Sequence, residues 1–448
     1  MKRILSIIIL LLSMAVAQDA QDYVTVYNDN LGLVKQVRNV TVDLKNPIIE
    51  FKDVAASLIP TSVHLKSLTD TKSFEILEQN FEYDLASADK ILNKYIDQQV
   101  SLILESGELI TGTLMSLAGG SYVLKTEDGL KILPANNKMQ ISVKELPEGL
   151  ITRPTLIWQV TGVKNASQKL EVSYLTNNIS WNAEYVGVLS EKEDQIDVGA
   201  WVNIDNKSGA TYKNAQLKLV AGDIHRAKEP RPPYFERGYT AETMAKADGF
   251  EEKAFFEYHL YTLQRPTTVK NNQIKQISLF PNATVACNKK YVFDAQRDPK
   301  QIEVQIVFVN KKENGLGLPI PKGIFRIYKQ DEKSLEFIGE DRIEHTPRNE
   351  EVNLTIGKAF DIVGEKTVVD RKKLSKNSEQ QNIEIEIRNN KEKENIEVVV
   401  VEYFYYPNWK IENNTHAYNK KSANKVEFKL PVKANEKTKL NYQVIYSW

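Results

Sequence analysis

The 448-residue chain has a single cysteine, Cys287, which excludes an intrachain disulfide and any zinc or iron–sulfur centre built on cysteine ligands. It has no charge bias, with 59 Lys and Arg against 59 Asp and Glu. A protein organised around nucleic-acid phosphates needs a basic surplus or a basic face. No phosphate-cradling GxxxxGK[ST] element, no GxSxG nucleophile elbow, no HxH pair and no HExxH helix occurs. Gly315-Leu316-Gly317-Leu318-Pro319 starts like a dinucleotide fingerprint, but it lacks the third glycine and prolines replace the helix that should follow. Ser87-x-x-Lys90 and Ser422-x-x-Lys425 match a nucleophile spacing without its companion motifs. Beyond the first residues no apolar run approaches the ~20 needed to span a bilayer.

What is present describes an exported β protein. Lys2 and Arg3 form a basic start, Ile4 to Leu12 is apolar except for Ser6, and Ala15-Val16-Ala17 supplies small residues for cleavage. The expectation is a signal peptide over 1–17, cut at about Ala17, with no cysteine there to accept a lipid. The product is then soluble, periplasmic or extracellular, and does not span the membrane. Loss of Lys2 and Arg3 leaves 57 basic against 59 acidic residues. An apolar fraction of 42% with 26% charged residues is enough for packed cores, and the length suits about three domains at ~150 residues each. Seven Asn-x-Ser/Thr triplets, at Asn39, Asn165, Asn178, Asn206, Asn282, Asn353 and Asn413, read as turn chemistry in an Asn-rich β protein rather than as glycan acceptors.

Period-two alternation dominates, from Tyr23–Tyr27 and Leu33–Val42 through Phe74–Tyr83. A short helix is expected over Ser87–Tyr95. Five tightly turned strands follow, at Val100–Leu104, Leu109–Leu117, Tyr122–Thr126, Leu130–Leu133 and Met139–Val143, with Gly112 at a bend in the second. One helix plus five such strands resembles a small Sm-like or SH3-like barrel. The expected class is mainly β, with two or more immunoglobulin-like sandwich sections and that barrel. The expected sections are 18–85 N-terminal β, 86–148 barrel, 149–300 central sandwich with a long Pro-rich loop at about 229–254, and 301–448 C-terminal sandwich. A weak repeat links Val202–Gly209, Val307–Lys312 and Ile385–Asn390, each an alternating strand ending in Asn and a polar turn. Asn tolerates the left-handed turn conformation, which is the reading given to these ends.

Candidate chemistry is sparse. Of five histidines, His64, His345 and His416 have no suggestive neighbour. Asp223 and His225 fall on one face of an extended segment, as do Glu257 and His259. Together these four residues form a candidate divalent-metal or ligand site. Cys287, between apolar neighbours, reads as a core residue. The turns Asn28-Asp29-Asn30 and Asp205–Gly209 lack calcium-loop spacing. Within Tyr403–Trp409, Tyr405 and Trp409 are candidates for an aromatic surface that stacks on carbohydrate.

Several short segments recur in one known arrangement. They are Tyr27-Asn28, Leu33-Val34, Pro154-Thr155-Leu156 with Trp158, Tyr174-Leu175, Ile179-Ser180-Trp181, Leu219–Asp223 and Tyr258–Tyr261. Leu316–Pro319, Glu344–Pro347, Gly357–Asp361 and Asn408-Trp409 complete the set. In these the chain resembles a family of exported, mostly bacterial proteins defined by domain of unknown function 4139. The resemblance implies a multi-sandwich β architecture and no catalytic residues. Some relatives carry a coiled coil after the N-terminal β section and are labelled mucoidy inhibitors; here the Sm-like segment takes that place, and the label is not transferred. The expected function is a non-catalytic binding or assembly module at the cell envelope, with an envelope polymer or protein as partner and no cofactor. The alternatives are a metal-assisted hydrolase using Asp223, His225, Glu257 and His259, and nucleic-acid binding through the barrel, which neutral charge and export disfavour.

Overall fold

The computed structural model describes residues 21–135, 138–222, 224, 250–255, 258–331 and 333–448. Among these the chain is mainly β, as expected, with sheets of eight, five, three and thirteen strands and one short α-helix, Ala88–Lys94. No described helix is long and apolar enough to cross a membrane.

Alternation is converted directly into layers. In Gln21–Tyr27 the even positions Val24 and Val26 are fully buried, because successive strand side chains point to opposite faces. This strand lies at the centre of the eight-stranded sheet, antiparallel to Gly32–Thr41 and parallel to Tyr212–Ala221. Ser167–Thr176 and His64–Ser67 extend the sheet on one side, and Tyr258–Leu263 with Phe250–Phe255 on the other. Strands from residues 21–85 and from 149–300 therefore share one sheet and one core, in which Trp158, Trp181, Tyr174 and Tyr185 are all but sealed from solvent. Residues 250–255, expected to end the long loop, form a strand instead. Their charged centre disguises it, and Glu252 occupies an inward position that Val or Leu would normally take.

The helix and five strands over 86–148 are present, inserted between two strands that pair with each other, since Glu82 faces Thr155. Ser87 caps the helix by accepting from Lys90 N. The five strands run in the order Gln140–Ser142, Gln99–Ile103, Leu109–Ser116, Ser121–Thr126 and Gly129–Pro134. They enclose a small core around Tyr95, Leu102, Leu114 and Leu124. The sheet stays open, because its outermost strands each pair on one side only and Gln140–Ser142 offers just three residues. The segment expected as a small Sm-like or SH3-like barrel is thus a five-stranded sheet that does not close into a barrel. Gly112 does serve the tight packing: a Cβ there would lie 2.8 Å from the carbonyl oxygen of Lys125 on the neighbouring strand.

The thirteen-stranded sheet is threaded by Gln273–Phe293, 21 residues long. Its first half pairs with Gln195–Asn206 and its second with Gln301–Val309. The register shifts around Gly199, where Pro281 and Asn282 are skipped on the facing strand; proline has no N–H to give to a ladder and is tolerated at such a bulge. A second large core lies beyond it, around Phe293, Ile385, Val400, Phe428 and Val444. Cys287 is a buried member of the first core, and burial pushes its thiol up to about 11.

The repeat-ending asparagines prove to be plugs. Asn206, Asn310 and Asn389 are each fully buried, and none has a positive φ, unlike Asn30, Asn178 or Asn272. Their left-handed turn role is thus corrected: the side chain is what matters. Asn206 Nδ2 donates to the carbonyls of Ala210, Val269 and Lys270, and its Oδ1 accepts from Ser208 N and Oγ. Asn310 donates to Leu318 and Pro347 and accepts from Gly317 N. Asn389 donates to Glu394, Val432 and Lys433 and accepts from Lys391 N. Each amide satisfies carbonyls that a buried loop would otherwise strand.

Asp70 does the same with a carboxylate. It accepts from Lys164 N, Asn165 N, Asn165 Nδ2 and Gln168 Nε2. These bonds, led by that from Lys164, hold it down to about 2. Because the folded state favours the ionised form, its contribution is present above the unfolded value of ~4 and is lost as pH falls through about 2. Asp70→Asn should therefore flatten the acid limb of a stability–pH profile between those values while leaving the neutral limb parallel to wild type. An unchanged acid limb in denaturant titrations would contradict this.

Candidate functional site

A cleft of about 660 Å³ opens where the inner face of the eight-stranded sheet runs out from under its core. Gln36 and Arg38 follow Val34 on the inward face of Gly32–Thr41, and Asp22 precedes Val24 on the inward face of Gln21–Tyr27. Asp22 and Gln36 sit directly across from each other. Three core-facing positions on two neighbouring strands are therefore polar, in breach of the pattern that built the sheet, and such breaches concentrate at functional sites.

A directed hydrogen-bond chain holds them. Ala55 N donates to the Tyr174 hydroxyl, which donates to Gln36 Oε1, and Gln36 Nε2 donates to Asp22 Oδ1 at 2.8 Å. The guanidinium of Arg38 lies over the Phe51 ring at 4.1 Å, and its Nη1 donates to Lys52 O at 2.5 Å. Burial pushes the Asp22 carboxyl above its ordinary value against the pull of Gln36, Arg38 and the Lys213 amide. Burial also lowers Arg38, against the charges of Asp22 and Asp53. Burial drives Tyr174 well above a normal phenol, so it stays a donor. At the mouth, Arg153 and Asp53 pair at 2.7 Å, and Lys213 and Asn214 form an exposed rim. Gly209 turns there at φ +89, where a Cβ would strike Ala56 at 2.4 Å. The lining thus presents three cations and two carboxylates. Asp22, Gln36 and Arg38 were not singled out from sequence; the available signal was polar residues in the buried register of two otherwise apolar strands.

Of the sequence-derived metal or ligand set, Asp223, His225 and Glu257 lie outside the described residues. His259 is described. Its Nδ1 stands 2.8 Å from Glu252 Oε1, and Arg348 Nη2 donates to Glu252 Oε2 at 3.0 Å. Burial opposes ionisation of Glu252, but His259 and Arg348 outweigh it and hold the carboxyl below its ordinary value. Arg348 Nε is buried with no partner among the described residues. The imidazole is thus one arm of a charged strut tying the Phe250–Leu263 hairpin to the segment before Glu351. Among the described residues no group of three or more His, Cys, Asp and Glu is placed to hold a metal.

The two aromatic candidates stand differently. Tyr405 is 74% exposed and donates to Gln296 Oε1. Trp409 packs on Phe404, donates to Ala423 O, and has Lys420 Nζ over its ring at 4.6 Å. The exposed stacked pair nearby is Tyr406 with Trp448, 5.0 Å apart.

Layered sheets, buried polar plugs and a polar cleft describe a mainly β protein of several sheets. The family model described as Domain of unknown function (DUF4139) matches residues 170–448, and the chain belongs to that family. No curated protein matches it. The cleft straddles the edge of this match: the Gly209–Asn214 rim lies inside it, whereas Asp22, Gln36, Arg38, Asp53 and Arg153 precede it.

Proposed function

We propose that the chain acts after export as a non-catalytic binding module at the cell envelope, and that the Asp22–Arg38 cleft holds its partner, an envelope polymer or protein segment. The supporting observation is the set of inward-facing polar groups, fixed by bonds from Tyr174 and Gln36 and by the bond from Arg38 to Lys52 O, at the end of an apolar sheet. Fixed donors and acceptors in a concave site are what recognition requires.

The experiment is equilibrium binding of the mature chain to a soluble digest of purified envelope polymer. Saturable binding that weakens in Arg38→Gln, with the digest unchanged in mass, supports the reading. Turnover of the digest, or binding indifferent to Arg38→Gln, overturns it. Fractionation of cells should find the leader removed and the chain outside the cytoplasm.

A further inference from the structure

Asp22 and Arg38 are opposite charges on inward positions of adjacent strands, and both line one cavity. Among the described residues no ion pair joins them. Each is restrained from elsewhere: Asp22 by Gln36, Arg38 by Phe51 and Lys52. Among the described residues the Arg38 guanidinium donates from Nη1 alone, to Lys52 O, which leaves its other N–H groups for the cleft. Half-buried charges held apart are costly unless a third group bridges them. An anion alone would satisfy Arg38 and place a like charge beside Asp22. A cation alone would do the reverse.

We infer that the cleft takes a zwitterion, a free amino acid or a short peptide with both ends free, with its ammonium on Asp22 and its carboxylate on Arg38. This rests on the cleft being the binding site. A guanidinium fork matches a carboxylate with two parallel bonds, and a buried carboxylate is the natural acceptor for an ammonium. The volume of about 660 Å³ falls within the ~300–1,000 Å³ of ligand pockets. Lys213 and the Asp53–Arg153 pair at the mouth add polar contacts for a chain longer than one residue.

The test is calorimetric titration of the mature chain with L-alanyl-L-alanine, its N-acetyl derivative and its C-terminal amide. The free dipeptide should bind, and blocking either end should weaken binding about tenfold or more, the loss of one charge-assisted contact. Asp22→Asn, which keeps the shape and the acceptor for Gln36, should erase the preference for the free amine. Arg38→Gln should erase the preference for the free carboxylate. Circular dichroism of each variant checks folding, and the wild-type ligand series stands without any variant. Equal affinity for free and blocked dipeptides, or no binding of any of the three, overturns the zwitterion. If the polymer digest still binds in an Arg38-dependent way, the ligand class alone is wrong; if it does not, the cleft reading falls with it.

Discussion

Asn206→Ala is expected to cost about 3 kcal/mol or more, since an unsatisfied buried polar group costs ~1–3 kcal/mol. The substitution removes an amide that serves three carbonyls, Ala210, Val269 and Lys270, and strands the backbone N–H of Ser208. No water route is open at a residue with zero exposure. Asn206→Asp keeps the size but gives up the donors and adds a buried charge, so it should be at least as harmful. Asn310→Ala and Asn389→Ala should behave alike, because each plugs a corresponding strand end. Denaturant unfolding checks this: losses under about 1 kcal/mol, within the range of a surface change, would show that the loops re-satisfy themselves and that the plug account is wrong.

The second large effect is at Arg348. Glu252 is 5% exposed and depends on Arg348 and His259 for compensation. Arg348→Met should cost about 3 kcal/mol, the scale for leaving a buried charge without its partner. Glu252→Leu together with Arg348→Met should recover much of that loss, because removing both charges also removes their desolvation cost. A double variant as unstable as the sum of the singles would show that the two residues act independently. The comparison also bears on His259. In a strut, His259→Gln lowers stability and leaves dipeptide binding at the cleft unchanged.

Alternation made the layers legible in advance. The inward valines of Gln21–Tyr27 and the apolar register of Gln301–Val309 are visible before any coordinates, because a period of two admits one sheet face. The repeat ending at Asn206, Asn310 and Asn389 was visible too, but its cause was not. A turn asparagine and a buried plug have the same letter, and only the carbonyls gathered around each amide distinguish them. Phe250–Phe255 escaped because Glu252 sits inward, and its compensation comes from Arg348, about a hundred residues away. The openness of the 86–148 sheet depends on whether its two outermost strands meet, which no local pattern encodes. Asp22, Gln36 and Arg38 were hidden for the same reason as Glu252. A polar residue in a strand reads as outward until the cross-strand register shows that it faces in.

The most direct measurement is hydrogen–deuterium exchange of the mature chain with and without the envelope-polymer digest. The account predicts protection converging on residues 21–40, 51–56, 151–156 and 207–215, the four stretches that wall the cleft, with little change in the 86–148 sheet. Protection confined to the Tyr405–Trp409 surface or to the 86–148 sheet, or no protection at the cleft at saturating digest, would contradict it.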